Sequence, residues 1–143
     1  MKPDNKIVVF IDGGARGNPG PASCGVYIES LNKSYSEYLG EATNNEAEYQ
    51  AAIFALKKLK KLIGKKSAKE TEVEIKTDSE LLYKQITHQY KIKESNLIPL
   101  FIELWNLMID FGKVSFVKIP RQQNKIADKL VNQELDKKSQ SLF

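Results

Sequence analysis

An unbroken run of apolar, mostly β-branched residues near the start of the chain constrains the fold more than any other feature. Residues 7–11 read Ile-Val-Val-Phe-Ile, and such a run is typical of a strand buried on both faces in the middle of a sheet. The run stops at Asp12-Gly13-Gly14, so we expect the strand to end on a carboxylate. That carboxylate would lie at the end of a buried strand, where an unpaired charge costs several kcal/mol.

The following segments change from strand-like to helix-like periodicity near residue 43. Strands are predicted at 23–30 and 34–40, after a turn at 17–21 and with a hairpin-like connection at 31–33. Residues 43–46 have the spacing of a capping box, which predicts a long helix over 47–63 that ends at Gly64. The later segments predict strands at 73–77 and 113–119, and helices at 79–88, 96–111 and 124–137. This order indicates an α/β fold with a mixed sheet, whose later strands are joined by helical crossovers to parallel neighbours.

Length and composition are those of one ordinary globular domain. With 143 residues, 41% hydrophobic and 28% charged, the chain is predicted to form a single domain over residues 1–143. A net charge of +4 permits an anionic partner such as nucleic acid without requiring one. The single cysteine, Cys24, cannot form an internal disulfide, and the sequence has neither a signal-peptide segment nor a long apolar stretch. We therefore expect a cytoplasmic protein in which Cys24 is a buried, inert thiol.

Four carboxylates, Asp12, Glu48, Asp78 and Asp128, stand where predicted elements begin or end. Each has an ordinary alternative explanation. Asp12 suits a turn before two glycines, and Glu48 and Asp78 suit the start of a helix. Asp128 lies at the edge of an apolar helix face and is a weak signal by itself.

Glu48 is the most informative of the four. Helical steps from it reach the apolar positions 52, 55, 59 and 62, so its carboxylate is predicted to point at or beside the core. Glu46 needs no such explanation, because it fits as the capping-box partner of Thr43.

Together the four acids predict a metal site. Mg²⁺ takes oxygen ligands and keeps several waters, so that a substrate phosphate can complete its coordination shell. Carboxylates from two strand ends and two helices can meet only in the folded state, and without cations they would repel each other. Metal binding would explain why they are held together.

Four blocks of sequence, in order, resemble the type 1 ribonucleases H over nearly the whole chain. These blocks are Phe10-Ile11-Asp12-Gly13-Gly14 with Gly17-Asn18-Pro19-Gly20, Thr43-Asn44-Asn45-Glu46-Ala47-Glu48, Thr77-Asp78-Ser79, and Asn124-Lys125-Ile126-Ala127-Asp128. The resemblance implies a ribonuclease-H-like α/β fold, with a five-stranded mixed sheet of three antiparallel and then two parallel strands, flanked by helices. It also implies a domain that cuts the RNA strand of an RNA–DNA hybrid.

The resemblance further implies that Asp12, Glu48, Asp78 and Asp128 hold two Mg²⁺ ions, with Mn²⁺ as a possible substitute. The chemistry implied is two-metal hydrolysis, in which one ion lowers the pKa of the attacking water and the other stabilises the leaving 3′ oxygen. The products would carry 5′-phosphate and 3′-hydroxyl ends. No protein nucleophile is needed, in agreement with the lack of a recognisable Ser-His-Asp or Cys-His pattern.

The same resemblance assigns substrate contacts. Gly13, Asn18, Thr43 and Asn45 are implied to bind the substrate, and Asn44 to read the 2′-hydroxyl of the RNA strand. An amide suits that task because the hydroxyl both donates and accepts. The alternatives are a turn residue for Asn18 and helix capping for the 43–45 segment, and both roles can hold at once.

The chain departs from the family in two places. Many members carry a His in the loop before the last Asp, whereas this chain has Arg121 there, as in a recognised subgroup, and an Arg cannot exchange protons near neutral pH. The only histidine, His88, is predicted to be an exposed surface residue. A basic helix that some relatives use as a substrate handle is also missing, so hybrid affinity is expected to be modest and salt-sensitive. Trp105, at helical spacing from Phe101 and Ile109, is predicted to lie in the core rather than to stack on a base.

Two other functions stay open at this point. One is a catalytically silent module of the same fold that only binds nucleic acid or a protein, although such a module would have no need of all four acids. The other is a related nuclease that acts on double-stranded RNA. The chain is expected to be a monomer.

Overall fold

A computed structural model of the chain describes residues 6–140, which form one mixed sheet of five strands with helices on both faces. The strands lie in the order β3-β2-β1-β4-β5. Strand β2 pairs antiparallel with β1 and β3, and β4 pairs parallel with β1 and β5. Their bounds are β1 Lys6–Ala15, β2 Gly20–Ile28, β3 Lys33–Ala42, β4 Glu72–Thr77 and β5 Lys113–Lys118. The predicted sheet, with three antiparallel and then two parallel strands, is confirmed.

The helices follow the predicted order, with one addition. Their bounds are α1 Asn44–Ile63, α2 Lys65–Lys69, α3 Glu80–Ile86, α4 Ile98–Ile109 and α5 Lys125–Gln140, with short 3-10 turns at Glu29–Leu31, Ser95–Leu97 and Arg121–Gln123. Helix α2 was not predicted, because its lysine-rich sequence has only the buried Ala68 as an apolar anchor. Within residues 6–140, no helix is long and apolar enough to cross a membrane.

Strand β1 extends further than its apolar run. The parallel ladder to β4 ends with the pair Phe10 and Lys76, whereas the antiparallel ladder to β2 continues to Ala15 and Ala22. The prediction that the strand stops at Asp12 was therefore wrong. Asp12 nevertheless lies just beyond the carboxyl end of the parallel part of the sheet, which is where open α/β sheets place their sites.

Two glycines bring α1 and α5 close to the sheet. A Cβ atom on Gly13 would lie 2.2 Å from the carbonyl oxygen of Ala47 in α1, and one on Gly25 would lie 2.6 Å from that of Ala127 in α5. Gly25 pairs with Asp12, the residue before Gly13, and successive strand residues face opposite sides. Helices α1 and α5 therefore cover opposite faces, and each begins close to Asp12.

The predicted position of Trp105 was wrong. Helix α4 is apolar on most of its surface, and it packs against the core through Leu104, which is fully buried, whereas 49% of Trp105 is exposed. Spacing alone cannot identify the inward face of a helix that is apolar nearly all round. Two other predictions are confirmed: His88 is exposed, and Cys24 is fully buried, which raises the pKa of its thiol to about 12.

Candidate metal centre

Three of the four predicted carboxylates meet at one point. Asp12 comes from β1, Glu48 from the first turns of α1, and Asp78 from the residue after β4. One carboxylate oxygen of each lies within 4.8 Å of one oxygen of each of the others. Residues far apart in sequence are thus brought to one end of the parallel ladder by the sheet order.

Glu48 is fixed by the backbone of β1. Its Oε1 accepts a hydrogen bond of 2.7 Å from the Gly13 N–H. Burial is the main cause that raises the pKa of Glu48 well above its usual range, and the charges of Asp12 and Asp78 raise it further. The glutamate that the helical pattern aimed at the core is therefore the one that joins the cluster.

Glu46 has a different environment two residues earlier. Its Oε1 accepts a 2.8 Å hydrogen bond from the Thr43 N–H, and the Thr43 hydroxyl accepts one of 3.1 Å from the Glu46 N–H. This reciprocal pair is the predicted capping box. The bond from Thr43 is the main cause that lowers the pKa of Glu46, so the structure separates a capping glutamate from a clustered one.

The raised pKa of Asp12 shows that the carboxylate cluster disfavours negative charge. Only 9% of the residue is exposed. Burial, followed by repulsion from Asp78 and Asp128, raises the pKa of Asp12 to about 8. In the absence of a cation, this cluster can hold its full negative charge only with difficulty.

Asn124, the residue before α5, supports the cluster, and its sequence pattern predicted no separate role for it. Its Nδ2 donates to the Ile11 carbonyl oxygen at 2.7 Å and to Asp78 Oδ2 at 3.0 Å. The residue is 1% exposed, and within residues 6–140 its Oδ1 has no hydrogen-bond partner. The only indication of this role in the sequence is that Asn124 is a polar residue four positions before Asp128, in the last of the four blocks that resemble the family.

Asp128 and Arg121 stand at the rim of the site. Both line a cleft of about 350 Å³ that also contains the three clustered acids. Asp128 lies outside the close trio, and its Oδ1 is 3.9 Å from Nη2 of Arg121, whose side chain is 83% exposed. Arg16, for which no sequence pattern predicted a role, lines the same cleft and pairs with Asp136 on α5 at 2.6 Å.

The predicted substrate residues connect the β1–β2 turn to the start of α1. Asn18 Oδ1 accepts from the Asn44 N–H at 2.9 Å, and Asn44 Oδ1 accepts from the Ala15 N–H at 2.9 Å. Asn45 Nδ2 donates to Glu94 at 3.1 Å. The Gly13 N–H already donates to Glu48. The alternative roles, a turn residue for Asn18 and helix capping for residues 43–45, are thus present in the structure. Asn44 also lines the carboxylate cleft.

The donor set fits a hard divalent cation. Three carboxylates offer oxygen ligands only, and the cleft beside them has room for water or a phosphate group. Bound cations would offset the repulsion that raises the pKa of Asp12. The same cluster without a cation is costly to the fold, which favours a role in metal binding over a purely structural one.

Comparison with known proteins gives one family. A family model described as RNase H matches residues 4–136. The bifunctional protein Rv2228c of Mycobacterium tuberculosis is 34% identical over 141 residues, which are 95% of this chain and 37% of that protein. Ribonuclease HI of Halobacterium salinarum is 32% identical over 145 residues, which are 95% of this chain and 68% of that protein. The chain thus spans little more than a third of the length of the first curated relatives that it matches.

Solved structures agree with the sequence comparison. The crystal structure of LC11-RNase H1 in complex with an RNA/DNA hybrid superposes with a TM-score of 0.85 at 44% identity. The alignment covers 92% of this chain and 97% of that chain. The likeness therefore extends through the sheet and the helices that carry the acidic cluster.

Proposed function

The chain belongs to the type 1 ribonuclease H family, and on that premise we propose that it is an endonuclease that hydrolyses the RNA strand of RNA–DNA hybrids. The partly buried cluster of Asp12, Glu48 and Asp78 is the observation that carries the proposal, since a module that only binds would gain nothing from the mutual repulsion of these carboxylates. The hybrid bound to LC11-RNase H1, a structure at 44% identity, supports the substrate class. On this proposal the whole chain acts as one catalytic domain.

Asp12, Glu48, Asp78 and Asp128 would hold two Mg²⁺ ions. When bound, the ions would supply an activated water and would stabilise the leaving 3′ oxygen, giving 5′-phosphate and 3′-hydroxyl ends. The chain itself contributes the positioning. The Gly13 N–H fixes Glu48, and the Asn124 side chain fixes Asp78 against the backbone of β1.

Asn44 is the residue we assign to recognition of the RNA strand. Its Oδ1 is held by the Ala15 N–H, so its Nδ2 is left to donate to a 2′-hydroxyl in the cleft. The backbone N–H of Asn44 in turn donates to Asn18, which fixes the start of α1 relative to the turn. A side chain held in this way can distinguish RNA from DNA by one hydrogen bond.

Strand choice tests the proposed function. Hybrids labelled on either the RNA or the DNA strand should be cut only on the RNA strand, and only where several consecutive ribonucleotides are present. Double-stranded RNA should be cut far more slowly than the hybrid. The Asp12→Asn variant, purified in the same way, controls for contaminating nucleases. Equal cutting of an all-DNA duplex would defeat the assignment of Asn44, and faster cutting of double-stranded RNA would favour the rival substrate.

Arg121 is expected to act by its charge. We expect Arg121→Ala to lower turnover by about one to two orders of magnitude, or roughly 1.4–2.7 kcal/mol of barrier, because a cation at the rim would hold a phosphate or assist product release. Arg121→Lys should recover part of the loss, because it keeps the positive charge. Recovery should be incomplete, because the planar guanidinium with its paired N–H donors is lost. The rates are measured with saturating hybrid and Mg²⁺.

Lys125→Ala is the matched control for Arg121, because it removes a nearby exposed charge that does not line the cleft. Many relatives carry a His in this loop, and a His that moved protons would add an inflection near its ordinary pKa of about 6.5 to the pH–rate profile. The parent, which has Arg121 there, should show no such inflection. If Arg121→Ala turns over at the parent rate, the residue has no catalytic part.

A further inference from the structure

The outward face of α4 is apolar and uncharged, although 28% of the chain is charged. Four large apolar side chains on this face are about half exposed, namely Ile98 45%, Ile102 52%, Trp105 49% and Ile109 54%. Pro99 and Asn106, also exposed, flank them and carry no charge. We call the four apolar residues the α4 seam. Such a contiguous exposed row usually marks a contact with another molecule.

Glu103, the one charged residue of α4, and Asp110, directly after the helix, face away from the seam. Glu103 pairs with Lys57 of α1 at 2.8 Å, and Asp110 pairs with Lys60 of α1 at 2.8 Å. These pairs lie where α4 packs against α1. A second helix could therefore approach the seam without burying an unpaired charge.

The spacing of the seam is compatible with a second copy of the same helix. Steps of four, three and four residues are those of a coiled-coil contact, and they are the same when the helix is taken in either direction. Two antiparallel copies of α4 would thus place Ile98 against the second copy's Ile109, and Ile102 against the second copy's Trp105. A two-fold interface requires one surface to be complementary to itself in this way.

We propose that the chain forms an antiparallel homodimer through the α4 seam. This proposal is an alternative to the sequence-based prediction of a monomer and is independent of the proposed nuclease function. Four half-exposed side chains give roughly 300–400 Å² of apolar contact on each copy, about half of a standard stable interface. A contact of this size is that of a weak dimer, which forms only at high protein concentration.

The α4 seam lies outside the carboxylate cleft. Helix α4 contributes no residue to the carboxylate cleft as the described residues form it. The seam is thus separate from the proposed substrate site, and a dimer would have two clefts.

Trp105 is the only tryptophan of the chain, so it reports on the seam directly. Sedimentation velocity from about 5 μM to about 500 μM should show a rise from monomer to dimer. The tryptophan emission maximum should move to shorter wavelength over the same range, because the half-exposed indole becomes buried. A monomer at every concentration, with an unchanged emission maximum, overturns the proposal and leaves the face to a different protein or to a membrane surface.

Variants identify the face. Ile102→Glu places a charge at the centre of the seam and should leave only monomer at all concentrations tested. Ile126→Glu is the matched control, since Ile126 lies on α5 and is 49% exposed, and this variant should dimerise like the parent. Circular dichroism checks that both variants are folded. A dimer that persists in Ile102→Glu, or one that is lost equally in Ile126→Glu, shows that another surface is responsible and overturns the proposal.

Discussion

Asp12→Asn is expected to abolish hydrolysis of the hybrid while making the metal-free protein more resistant to heat. Activity should fall by at least about 1,000-fold, or about 4 kcal/mol of barrier, because the amide is a poor replacement for a charged ligand at the centre of the cluster. Stability should rise by about 2 kcal/mol, or roughly 7 °C in Tm, because the amide has no charge to bury and does not repel Asp78 and Asp128. Few substitutions at a structural site would have both effects.

The stability gain should depend on pH in a defined direction. Asp12 has an ordinary pKa of 3.8 and a folded pKa of about 8. The folded state therefore binds this proton more tightly than the unfolded state does, so the metal-free parent loses stability as the pH rises from about 4 to about 8. Asn does not titrate, and the difference in Tm between variant and parent should thus be larger at pH 8 than at pH 5.

Thermal unfolding followed by circular dichroism in a chelating buffer measures this difference. Adding Mg²⁺ should raise the Tm of the parent more than that of the variant, since the variant has lost a ligand. Near-parental activity in Asp12→Asn would remove Asp12 from the catalytic set. A lower Tm without metal would mean that the aspartate stabilises the fold.

Glu48→Gln and Glu46→Gln should behave differently although they are two residues apart and the change is the same. Glu48→Gln is expected to reduce turnover by about 1,000-fold, since Glu48 is in the cluster. Glu46→Gln should change turnover by no more than a few fold and cost up to about 1 kcal/mol of stability, because the side chain still caps α1.

Each glutamate variant is the matched control for the other. Turnover is measured with saturating Mg²⁺ and hybrid, and the free energy of unfolding by urea titration of the same preparations. A larger loss of turnover in Glu46→Gln than in Glu48→Gln would reverse the two roles.

The sequence predicted the features that depend on local chemistry. The capping box at 43–46 specified the start of α1, and the position of Glu48 on the buried stripe identified it as the clustered glutamate. The order of strands and helices was sufficient to predict a mixed sheet, because crossover connections join parallel neighbours. The first two features could be recognised from one short segment of sequence, and the third from the order of the segments along the chain.

The features that the sequence did not predict depend on contacts between distant segments. The extension of β1 to Ala15 needs pairing with β2 after the ladder to β4 has ended. The outward position of Trp105 needs Leu104 to be the residue that meets the core. The support that Asn124 gives to Asp78 joins residues 46 positions apart. Short-range patterns carry no information on such pairs.

Hydrolysis of a labelled hybrid by metal-stripped protein, with and without Mg²⁺, tests the central claim most directly. The claim is that a cluster of partly buried carboxylates uses divalent cations to cut the RNA strand. We expect no cleavage in the chelating buffer, recovery of cleavage of the RNA strand as Mg²⁺ is added, and no recovery in Asp12→Asn. Full turnover without a divalent cation, or no cleavage of the hybrid by folded protein at any Mg²⁺ or Mn²⁺ concentration, would contradict the account.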